Sequence, residues 1–505
     1  MRRAAEWRTR LPGDPVTYVV GVAALVVFAL HGFQGRLSRD LAVYAYAGQQ
    51  VADGVPPYEG IMNRAGPLAH MVPAVGVGLA RLGGFGEILG MRLVFLAVSV
   101  ACVCLIYVLG RTLFASRLAG LAAGAALLSF AGFIEYASNG PREKTVMVAF
   151  LLGTLLAMTG RRWFAAGVCL CLATLTWQPV FIVGLAAIAV ALLAEPRDRW
   201  LRAIGRLTAG LLVPAVVCVV YFAIAGALRA FIDGFLLINL RYTEASSFFD
   251  RPGSKWGRLT DGYGLSTWVL VAGLVALTAV AIRVLVGGQR REPASISVIA
   301  VGLAGIVSVA WTLRNFNGWP DAFLVLPFAA IGIGGLAEAV GDYLLPRATV
   351  LVTSAWVAVA VVLALTYSIG ARSHALDQQR HQVAMIREEI PGATFLSIEA
   401  PQPLVISGMT NPTRYQMFRD GLDRYVHRHW RPGGLAGFAD WIGQQAPTVI
   451  AIGRHGVPRW LRDTIDREYR YAGEARGWTC YVNRSVDPAV VAEVKAQLKR
   501  GSPSR

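Results

Sequence analysis

The chain has 505 residues, of which 55% are hydrophobic and only 16% are charged, and its mean hydropathy is +0.51. Soluble globular proteins carry about 25% charged residues, so the composition excludes an ordinary cytosolic protein, a disordered chain and a small disulfide scaffold. The net charge is +17, but the arginines are scattered between apolar segments rather than gathered on one helix or arm, which argues against a nucleic-acid partner. The sequence therefore predicts a polytopic membrane protein.

Eleven apolar segments have, or nearly have, the length of about 20 residues that a helix needs to cross a bilayer. They are residues 16–33, 88–109, 118–136, 145–159, 163–176, 180–193, 207–225, 268–286, 296–313, 322–340 and 349–369. Residues 67–82 are also apolar, but this stretch is short and contains His70 and Pro73. It predicts an interfacial or re-entrant helix.

The arginines near the ends of these segments set the predicted orientation, because positive residues concentrate in cytoplasmic connections. One set of connections is short and carries Arg2, Arg3, Arg8, Arg10, Arg111, Arg117, Arg161, Arg162, Arg197, Arg199, Arg202, Arg206, Arg290, Arg291 and Arg347. The opposite set contains two long loops, 34–66 and 227–266, and the tail from residue 371. We therefore predict a multi-pass protein of the plasma (inner) membrane with a cytoplasmic amino terminus and an extracytoplasmic tail.

Two domains follow from this pattern: a transmembrane module over residues 1–370 and a small soluble domain over residues 371–505. The tail alternates helix-like and strand-like stretches, which favours a compact α/β fold. The helix-like stretches are 376–389, 435–445, 460–467 and 488–499, and the strand-like stretches are 394–398, 448–453 and 478–482. Of the six cysteines only Cys480 lies in the tail, so no disulfide framework is predicted there.

The first long loop carries the most informative acidic residue. Asp40 follows the first apolar segment within a few residues and opens a stretch, 41–52, that suits a short helix. An aspartate at a helix start is often only a cap. Tyr44 and Tyr46 follow it, and such aromatic residues are typical of the membrane interface. The residues alone leave both a capping role and a chemical role for Asp40 open.

In this loop the chain resembles the integral-membrane glycosyltransferases of the GT-C fold, in particular the dolichyl-phosphate-mannose protein mannosyltransferases and the lipid A aminoarabinose transferase. The residues that carry the resemblance are Asp40, Tyr44, Tyr46, Gly48, Gly54, Pro57, Tyr58, Gly66, Pro67 and Leu68. Weaker matches are Pro141–Arg142–Glu143, Gln178–Pro179 and the stretch from Asp321 to Pro327. Many relatives have lysine before the Gln–Pro pair, where this chain has Trp177.

The resemblance implies a polytopic α-helical membrane protein of the GT-C type, with about eleven transmembrane helices and a small C-terminal extracytoplasmic α/β domain. It also implies transfer of a sugar, such as mannose or arabinose, from a polyprenyl-phosphate donor to a glycan, lipid or protein acceptor at the outer interface. An acceptor hydroxyl needs a base within hydrogen-bond reach, and the resemblance assigns that role to Asp40. Glu143 is a second catalytic candidate, and membrane lipids are further partners.

The departing phosphate needs positive charge where negative charge develops. Arg64, Arg142 and Lys144 are close to Asp40 in the predicted topology, and Arg241 and Arg314 are weaker candidates. The predicted substrate-binding residues are completed by Tyr44, Tyr46, Tyr58, His70 and Gln178. A divalent metal, Mg²⁺ or Mn²⁺, is a further prediction, with Asp40 and Glu143 as its ligands.

Other interpretations of the same residues remain open. Outer arginines commonly bind lipid headgroups, Glu143 is also suited to a helix start, and the three tyrosines and His70 are also suited to packing. A membrane transporter is one rival function, but we find no internal repeat of the kind that many transporters show. A ligase or polymerase of the O-antigen type, acting on lipid-linked glycans, is another. The first-loop pattern favours the transferase over both.

Overall fold

A computed structural model of the protein describes residues 14–244, 246–287 and 292–500. The arginines of the orientation argument that lie outside these ranges are Arg2, Arg3, Arg8, Arg10, Arg290 and Arg291. The described part is mostly helical and has one small sheet near its carboxyl end.

Short connections join most helices before residue 371. They are α1 (Pro15–His31), α2 (Arg39–Ala52), α3 (Leu68–Gly83), α4 (Glu87–Phe114), α5 (Arg117–Ser129), α6 (Ala131–Asn139), α7 (Glu143–Thr159), α8 (Trp163–Thr176), α9 (Val180–Leu193), α10 (Arg197–Ile224), α11 (Leu228–Phe231), α12 (Ile238–Arg241), α13 (Pro252–Tyr263), α14 (Ser266–Val286), α15 (Pro293–Arg314), α16 (Leu326–Gly341) and α17 (Pro346–Gly370). A π-helical stretch, Ile232–Leu237, joins α11 to α12, and a 3₁₀ turn covers Trp319–Leu324.

All eleven apolar segments of the sequence lie largely in helices, but residues 118–136 form two helices rather than one, and residues 322–340 begin in the 3₁₀ turn before α16. The pair α5 and α6 meets at an angle of 71° around Phe130. Within the described ranges, α4, α10, α14, α15 and α17 are long and apolar enough to cross a membrane, and the bent pair adds a sixth span if it counts as one. The chain is therefore a multi-pass membrane protein. Eleven crossings remain a prediction, because the other five segments lie in α1, α7, α8, α9 and α16, which have only 14–17 residues.

Small residues let the membrane helices approach one another closely. A Cβ atom added to Gly332 on α16 would lie 1.7 Å from the carbonyl oxygen of Gly273 on α14. Helices in lipid gain van der Waals contact from such close approach, because lipid supplies no hydrophobic force between them. The α14–α16 pair thus depends on glycine at this contact.

The tail contains a four-stranded sheet covered by helices. Its strands are β1 (Phe395–Ile398), β2 (Val449–Gly453), β3 (Tyr469–Ala475) and β4 (Trp478–Asn483), and its helices are α18 (Ala375–Glu389), α19 (Gln402–Ser407), α20 (Leu422–His429), α21 (Gly434–Gln445), α22 (Arg462–Glu468) and α23 (Pro488–Arg500). The strand order is β1-β2-β4-β3, with β1 and β2 parallel and the other two pairs antiparallel.

The sequence prediction omitted β3, α19 and α20. Strand β3 is an edge strand with a register irregularity between Tyr471 and Gly473, and edge strands are commonly short, polar or interrupted. Its two charged residues, Arg470 and Glu474, and its glycine interrupt any apolar alternation that would indicate a strand. The short helices α19 and α20 likewise have too few turns to show a clear periodicity.

The tail is docked on the first long loop. The Leu376 amide donates to the Gln34 carbonyl oxygen at 3.0 Å, and the Asn411 amide donates to the Tyr46 hydroxyl at 2.8 Å. The buried apolar side chains of the membrane helices and of the tail form one continuous cluster. This docking places the ends of β1 and β2 next to the start of α2, where Asp40 lies.

Candidate functional site

Asp40 lies in the first turn of α2 and is not its cap. Ser38 is the capping residue, and its hydroxyl accepts from the Leu41 amide at 3.4 Å. The Asp40 carboxylate is 42% exposed. Its Oδ2 atom accepts from Arg142 Nη1 at 2.7 Å, and its Oδ1 atom accepts from Arg39 Nε at 3.1 Å. Burial raises the pKa of Asp40, but the two guanidinium groups outweigh burial and hold that pKa well below its usual range.

Arg142 joins the two carboxylates that the sequence prediction selected. It immediately precedes α7, is buried, and lies over the rings of Tyr44 and Tyr136 at 5.9 and 5.5 Å from their centroids. Its Nε atom is 3.2 Å from Glu143 Oε2, although neither atom has a hydrogen-bond partner within the described part of the chain. The structure thus brings Asp40, Glu143 and Arg142 together, with Tyr44 beneath the guanidinium.

A second ion pair lies one residue further along α7. The ammonium group of Lys144 bonds to Asp321 and lies 5.2 Å from the centroid of the Trp177 ring. Asp321 also accepts from the backbone amides of Asn317 and Gly318. Burial raises the pKa of Asp321, but Lys144 and these amides outweigh burial and lower that pKa. Lys144 thus has an acidic partner in Asp321, and its contact with a donor phosphate stays a prediction.

Several predicted substrate-binding residues hold the backbone of the first loop. Tyr58 is fully buried and donates to the Ala65 carbonyl oxygen at 2.7 Å. The His70 ring lies 5.0 Å from the Tyr58 ring and bonds to Asn63 Oδ1 at 3.1 Å. Tyr46 is buried as well and bonds to the tail. These contacts give Tyr46, Tyr58 and His70 structural partners, and their contact with a substrate stays a prediction.

Arg64 lies where the loop meets both the membrane helices and the tail. Its carbonyl oxygen accepts from Gln178 Nε2 at 3.1 Å and from Asn239 Nδ2 at 2.9 Å. Its guanidinium is 3.2 Å from the carboxylate of Asp420 in the tail. Gln178 therefore positions the backbone next to Arg64.

The two weaker cation candidates lie apart from this group. Arg241 ends α12, Arg314 ends α15, and both side chains are exposed. Neither has an ion pair or a side-chain hydrogen bond to another residue in 14–244, 246–287 or 292–500. The structure therefore shows no contact that links them to Asp40.

The sequence prediction missed the contribution of the tail to this site. Arg39 Nη1 is 2.6 Å from Glu399 Oε2, and the other oxygen of Glu399 accepts from the Phe418 amide at 2.5 Å. Glu399 follows β1 directly, and the charge pair Arg39–Asp40 is visible in the sequence. The position of Glu399 at the carboxyl end of a buried strand was the one sequence feature that pointed to it. Only the tertiary structure shows that this strand end faces the first loop.

The residues around Asp40 do not form a metal site. Asp40 and Glu143 are both engaged by Arg142, and no group of three or more His, Cys, Asp or Glu side chains in the described ranges is placed to hold a metal ion. A divalent cation prefers several oxygen ligands free of competing cations. The predicted pair of ligands therefore does not fit Mg²⁺ or Mn²⁺ in this arrangement.

The arrangement suits proton transfer beside an anion. Asp40 is ionised and half-exposed, so it is able to accept a proton from a group that approaches from solvent. Arg142 and Lys144 are buried cations two residues apart in the chain, and such groups stabilise developing negative charge. The first loop, the start of α7 and the tail all meet at this point.

Comparison with known proteins agrees with this architecture. Residues 69–222 match the family model for dolichyl-phosphate-mannose-protein mannosyltransferase. Among curated proteins, none matches the chain at a significant level. The crystal structure of ArnT from Cupriavidus metallidurans in the apo state is similar with a TM-score of 0.60 and 16% identity, over 92% of this chain and 97% of that chain.

Two further structures extend the comparison. ArnT from the same organism bound to undecaprenyl phosphate gives a TM-score of 0.59 at 16% identity, over 94% of this chain and 97% of that chain. The Archaeoglobus fulgidus oligosaccharyltransferase in complex with Zn and sulfate gives 0.50 at 14% identity, over 92% of this chain and 73% of that chain. The chain has the GT-C fold that these proteins share, and the predicted resemblance is confirmed.

Proposed function

We propose that the chain is a membrane glycosyltransferase that moves a sugar from a polyprenyl-phosphate donor to an acceptor hydroxyl, with Asp40 as the general base. The observation that carries the proposal is the ionised, half-exposed carboxylate of Asp40 between Arg39 and Arg142. The family match and the GT-C fold support the reaction class, and the structure of ArnT bound to undecaprenyl phosphate supports the class of donor.

In the proposed reaction, the acceptor oxygen attacks the anomeric carbon of the donor sugar. A new C–O bond forms, the bond between that carbon and the phosphate oxygen breaks, and polyprenyl phosphate departs. The acceptor proton passes to a carboxylate oxygen of Asp40. A single displacement of this kind inverts the configuration at the anomeric carbon. The sugar is one such as mannose or arabinose, and the acceptor is a glycan, a lipid or a protein.

The cations have distinct roles in this proposal. Arg142 and Lys144 are buried and stabilise the charge on the departing phosphate, since buried cations act more strongly than solvated ones. Arg142 also fixes the Asp40 side chain through the 2.7 Å bond. Glu143 sets the position of the Arg142 guanidinium from its other side. Glu143 is therefore a positioning residue in this scheme.

The test is donor consumption by the purified full chain, with a panel of polyprenyl-phosphate sugars and with membranes as the acceptor source. Removal of a general base costs about 10²–10⁴ in rate, so Asp40→Asn is expected to lose transfer by that factor. The matched control is Asp53→Asn, because Asp53 caps the other end of α2 and pairs with the exposed Arg81.

We expect the Asp53→Asn variant to keep the rate of the unmodified chain. An Asp40→Asn variant that folds and transfers sugar at that same rate removes Asp40 as the base. Failure of the unmodified chain to consume any donor of the panel overturns the proposed activity itself. Both variants are compared at equal amounts of monodisperse protein, so that a folding defect is not read as a catalytic one.

A further inference from the structure

Residues from three loops lie together along one edge of the tail sheet, the edge at which strands β1, β2 and β3 end. Arg454 follows β2 directly, and Arg476 lies in the turn between β3 and β4. The register places them at the same edge, because Gly453 and Ala475 both pair with Trp478. The carboxyl end of β1 lies at this edge too, since β1 and β2 are parallel. In α/β sheets, ligands commonly bind outside the carboxyl ends of the parallel strands.

This edge faces the segment between α1 and α2. Gln379 Nε2 donates to the Leu37 carbonyl oxygen at 3.0 Å and to the Arg476 carbonyl oxygen at 2.8 Å. The Arg476 turn is therefore held beside the backbone next to Arg36. The ion pair between Arg39 and the residue that follows β1 fixes the same edge to α2 at 2.6 Å. The sheet edge thus forms the tail side of the Asp40 site.

Positive charge is in excess along this contact. We call the four arginines concerned the basic edge; they are Arg36, Arg419, Arg454 and Arg476. Arg419 belongs to the group because its charge acts on Glu399, the residue that follows β1. None of them has an acidic side chain within ion-pair distance in the described part of the chain. The acids nearby are already paired: Asp40 with Arg39 and Arg142, Glu399 with Arg39, Asp420 with Arg64, and Glu135, whose charge acts on Arg36, with His31. Burial and the charges of Arg454 and Arg476 lower the pKa of Arg36.

The surface around the basic edge is polar. Among described residues, no large hydrophobic side chain is exposed between Leu30 and Val75, and Tyr471 is the one exposed example after Ile369. The other exposed large apolar side chains lie before the tail. A lipid chain therefore has no apolar surface to lie on here, whereas a hydrated, charged group does.

We infer that the basic edge binds an anionic group, a phosphate or a carboxylate, carried by a saccharide acceptor. The inference rests on the proposed function and names the class of its acceptor. Guanidinium groups bind phosphate and carboxylate through paired charge-assisted hydrogen bonds. The donor phosphate is served by the buried cations Arg142 and Lys144, on the membrane-helix side of Asp40. The basic edge lies on the opposite, tail side, where the acceptor approaches.

The test uses mannose 6-phosphate as the probe and mannose as its neutral counterpart, with the full chain in phosphatidylcholine nanodiscs. We expect the chain to bind the phosphorylated sugar in preference to mannose. The Arg36→Gln/Arg454→Gln double variant is expected to weaken that binding by about tenfold or more, since each lost bond to a charged group is worth a factor of this order. The control pair is Arg428→Gln/Arg462→Gln, two exposed tail arginines outside the basic edge.

Equal binding of mannose 6-phosphate and mannose by the unmodified chain overturns the inference, as does unchanged binding by the Arg36/Arg454 variant. Competition by undecaprenyl phosphate or by phosphatidylglycerol nanodiscs also overturns it, because the site then serves a lipid phosphate. Asp40→Asn is expected to bind the probe normally while losing transfer. This separates the inference from the proposed function, since binding of the probe does not require any sugar transfer.

Discussion

Buried charges in the candidate site are matched almost one to one. Arg142 bridges Asp40 and Glu143, Lys144 bonds to Asp321, and Arg39 joins Asp40 to the tail. An unpaired buried charge costs several kcal/mol, whereas a well-placed partner recovers most of that cost. The same pairing keeps Asp40 ionised and holds its side chain still. Removal of one partner is therefore expected to change the proton affinity of the other.

Arg39→Gln is expected to move the acidic limit of activity to higher pH. The pKa of Asp40 is held low by Arg142 and Arg39 against the effect of burial. A base with a lowered pKa stays ionised and active as pH falls, so the unmodified chain is expected to show no loss from this group above about pH 4. Without Arg39 the pKa rises, and protonation removes the base earlier, by about one pH unit.

The measurement is kcat/KM for donor consumption from about pH 2 to about pH 8, a range that extends below the usual pKa of an aspartate. Arg39→Lys keeps the positive charge and serves as the control, with a pH limit close to that of the unmodified chain. The proposed role of Arg39 is contradicted if Arg39→Gln lowers the rate equally at every pH. That result indicates a loss of tail docking through Glu399 instead.

At the scale of elements, the bend between α5 and α6 shapes the site. The Ala131 amide donates to the Ser266 hydroxyl of α14 at 3.2 Å, outside its own helix. The bend directs α6 towards the first loop, where Asn139 Oδ1 accepts from the Gly35 amide at 3.0 Å and Tyr136 lies beneath Arg142. A straight helix over residues 118–136 does not supply these contacts. Helix ends are thus placed by partners distant in the sequence.

Gly332→Ala is expected to destabilise the contact between α14 and α16. Its new Cβ atom would lie 1.7 Å from the Gly273 carbonyl oxygen. Because this oxygen belongs to a helix backbone, the clash is relieved only if the two helices move apart. Overpacking of this kind costs about 1–3 kcal/mol. Thermal unfolding of the purified protein in detergent measures the loss as a lower midpoint temperature.

Gly205→Ala provides the comparison for this helix contact. Gly205 lies in α10, and a Cβ atom added there meets nothing within 4 Å. Alanine favours a helix over glycine by about 1 kcal/mol, so this variant is expected to unfold at the original temperature or slightly higher. Equal midpoints for Gly332→Ala and Gly205→Ala argue that α14 and α16 separate without cost.

At the scale of the whole molecule, the site exists only where the tail meets the first loop. Glu399 and Asp420 of the tail pair with Arg39 and Arg64 of the loop. The loop backbone is also bonded to the tail, through the Met62 amide and the Arg414 carbonyl oxygen at 2.9 Å. The proposed reaction therefore requires the loop and the tail on the same side of the membrane, the outer side in the predicted orientation.

Cysteine labelling in intact cells tests that orientation. Arg462→Cys places a thiol on an exposed position of the tail, and Arg199→Cys places one in the exposed first turn of α10. We expect a membrane-impermeant maleimide to label Arg462→Cys in intact cells and Arg199→Cys only after lysis. The unmodified chain gives the background, since its six cysteines are buried or half-buried. The opposite pattern of labelling reverses the predicted orientation.

Much of the fold was accessible from the sequence because apolar length and charge are local properties. The eleven apolar segments fell largely in helices, and three of four tail strands were found, since a run of 18 or so apolar residues or a short β-branched run needs no partner to be recognised. The sequence did not predict strand β3 or the α5–α6 bend, because each depends on a contact with another element. Strand β3 is an edge strand that pairs with β4, and the bend is stabilised by a hydrogen bond to α14.

For the site, the sequence determined which charged residues flank the long loops. It brought Asp40, Arg142, Glu143 and Lys144 forward by their positions next to apolar segments and by the resemblance to the GT-C glycosyltransferases. Only the tertiary structure decided how these charges pair and that the tail supplies a second wall with the basic edge. The physical reason is the separation along the chain between the residues that take part in each interaction. Hydrophobic patterning is read along a few residues of chain, whereas an ion pair such as that of Arg39 with Glu399 joins residues 360 positions apart, and folding alone brings them within 2.6 Å.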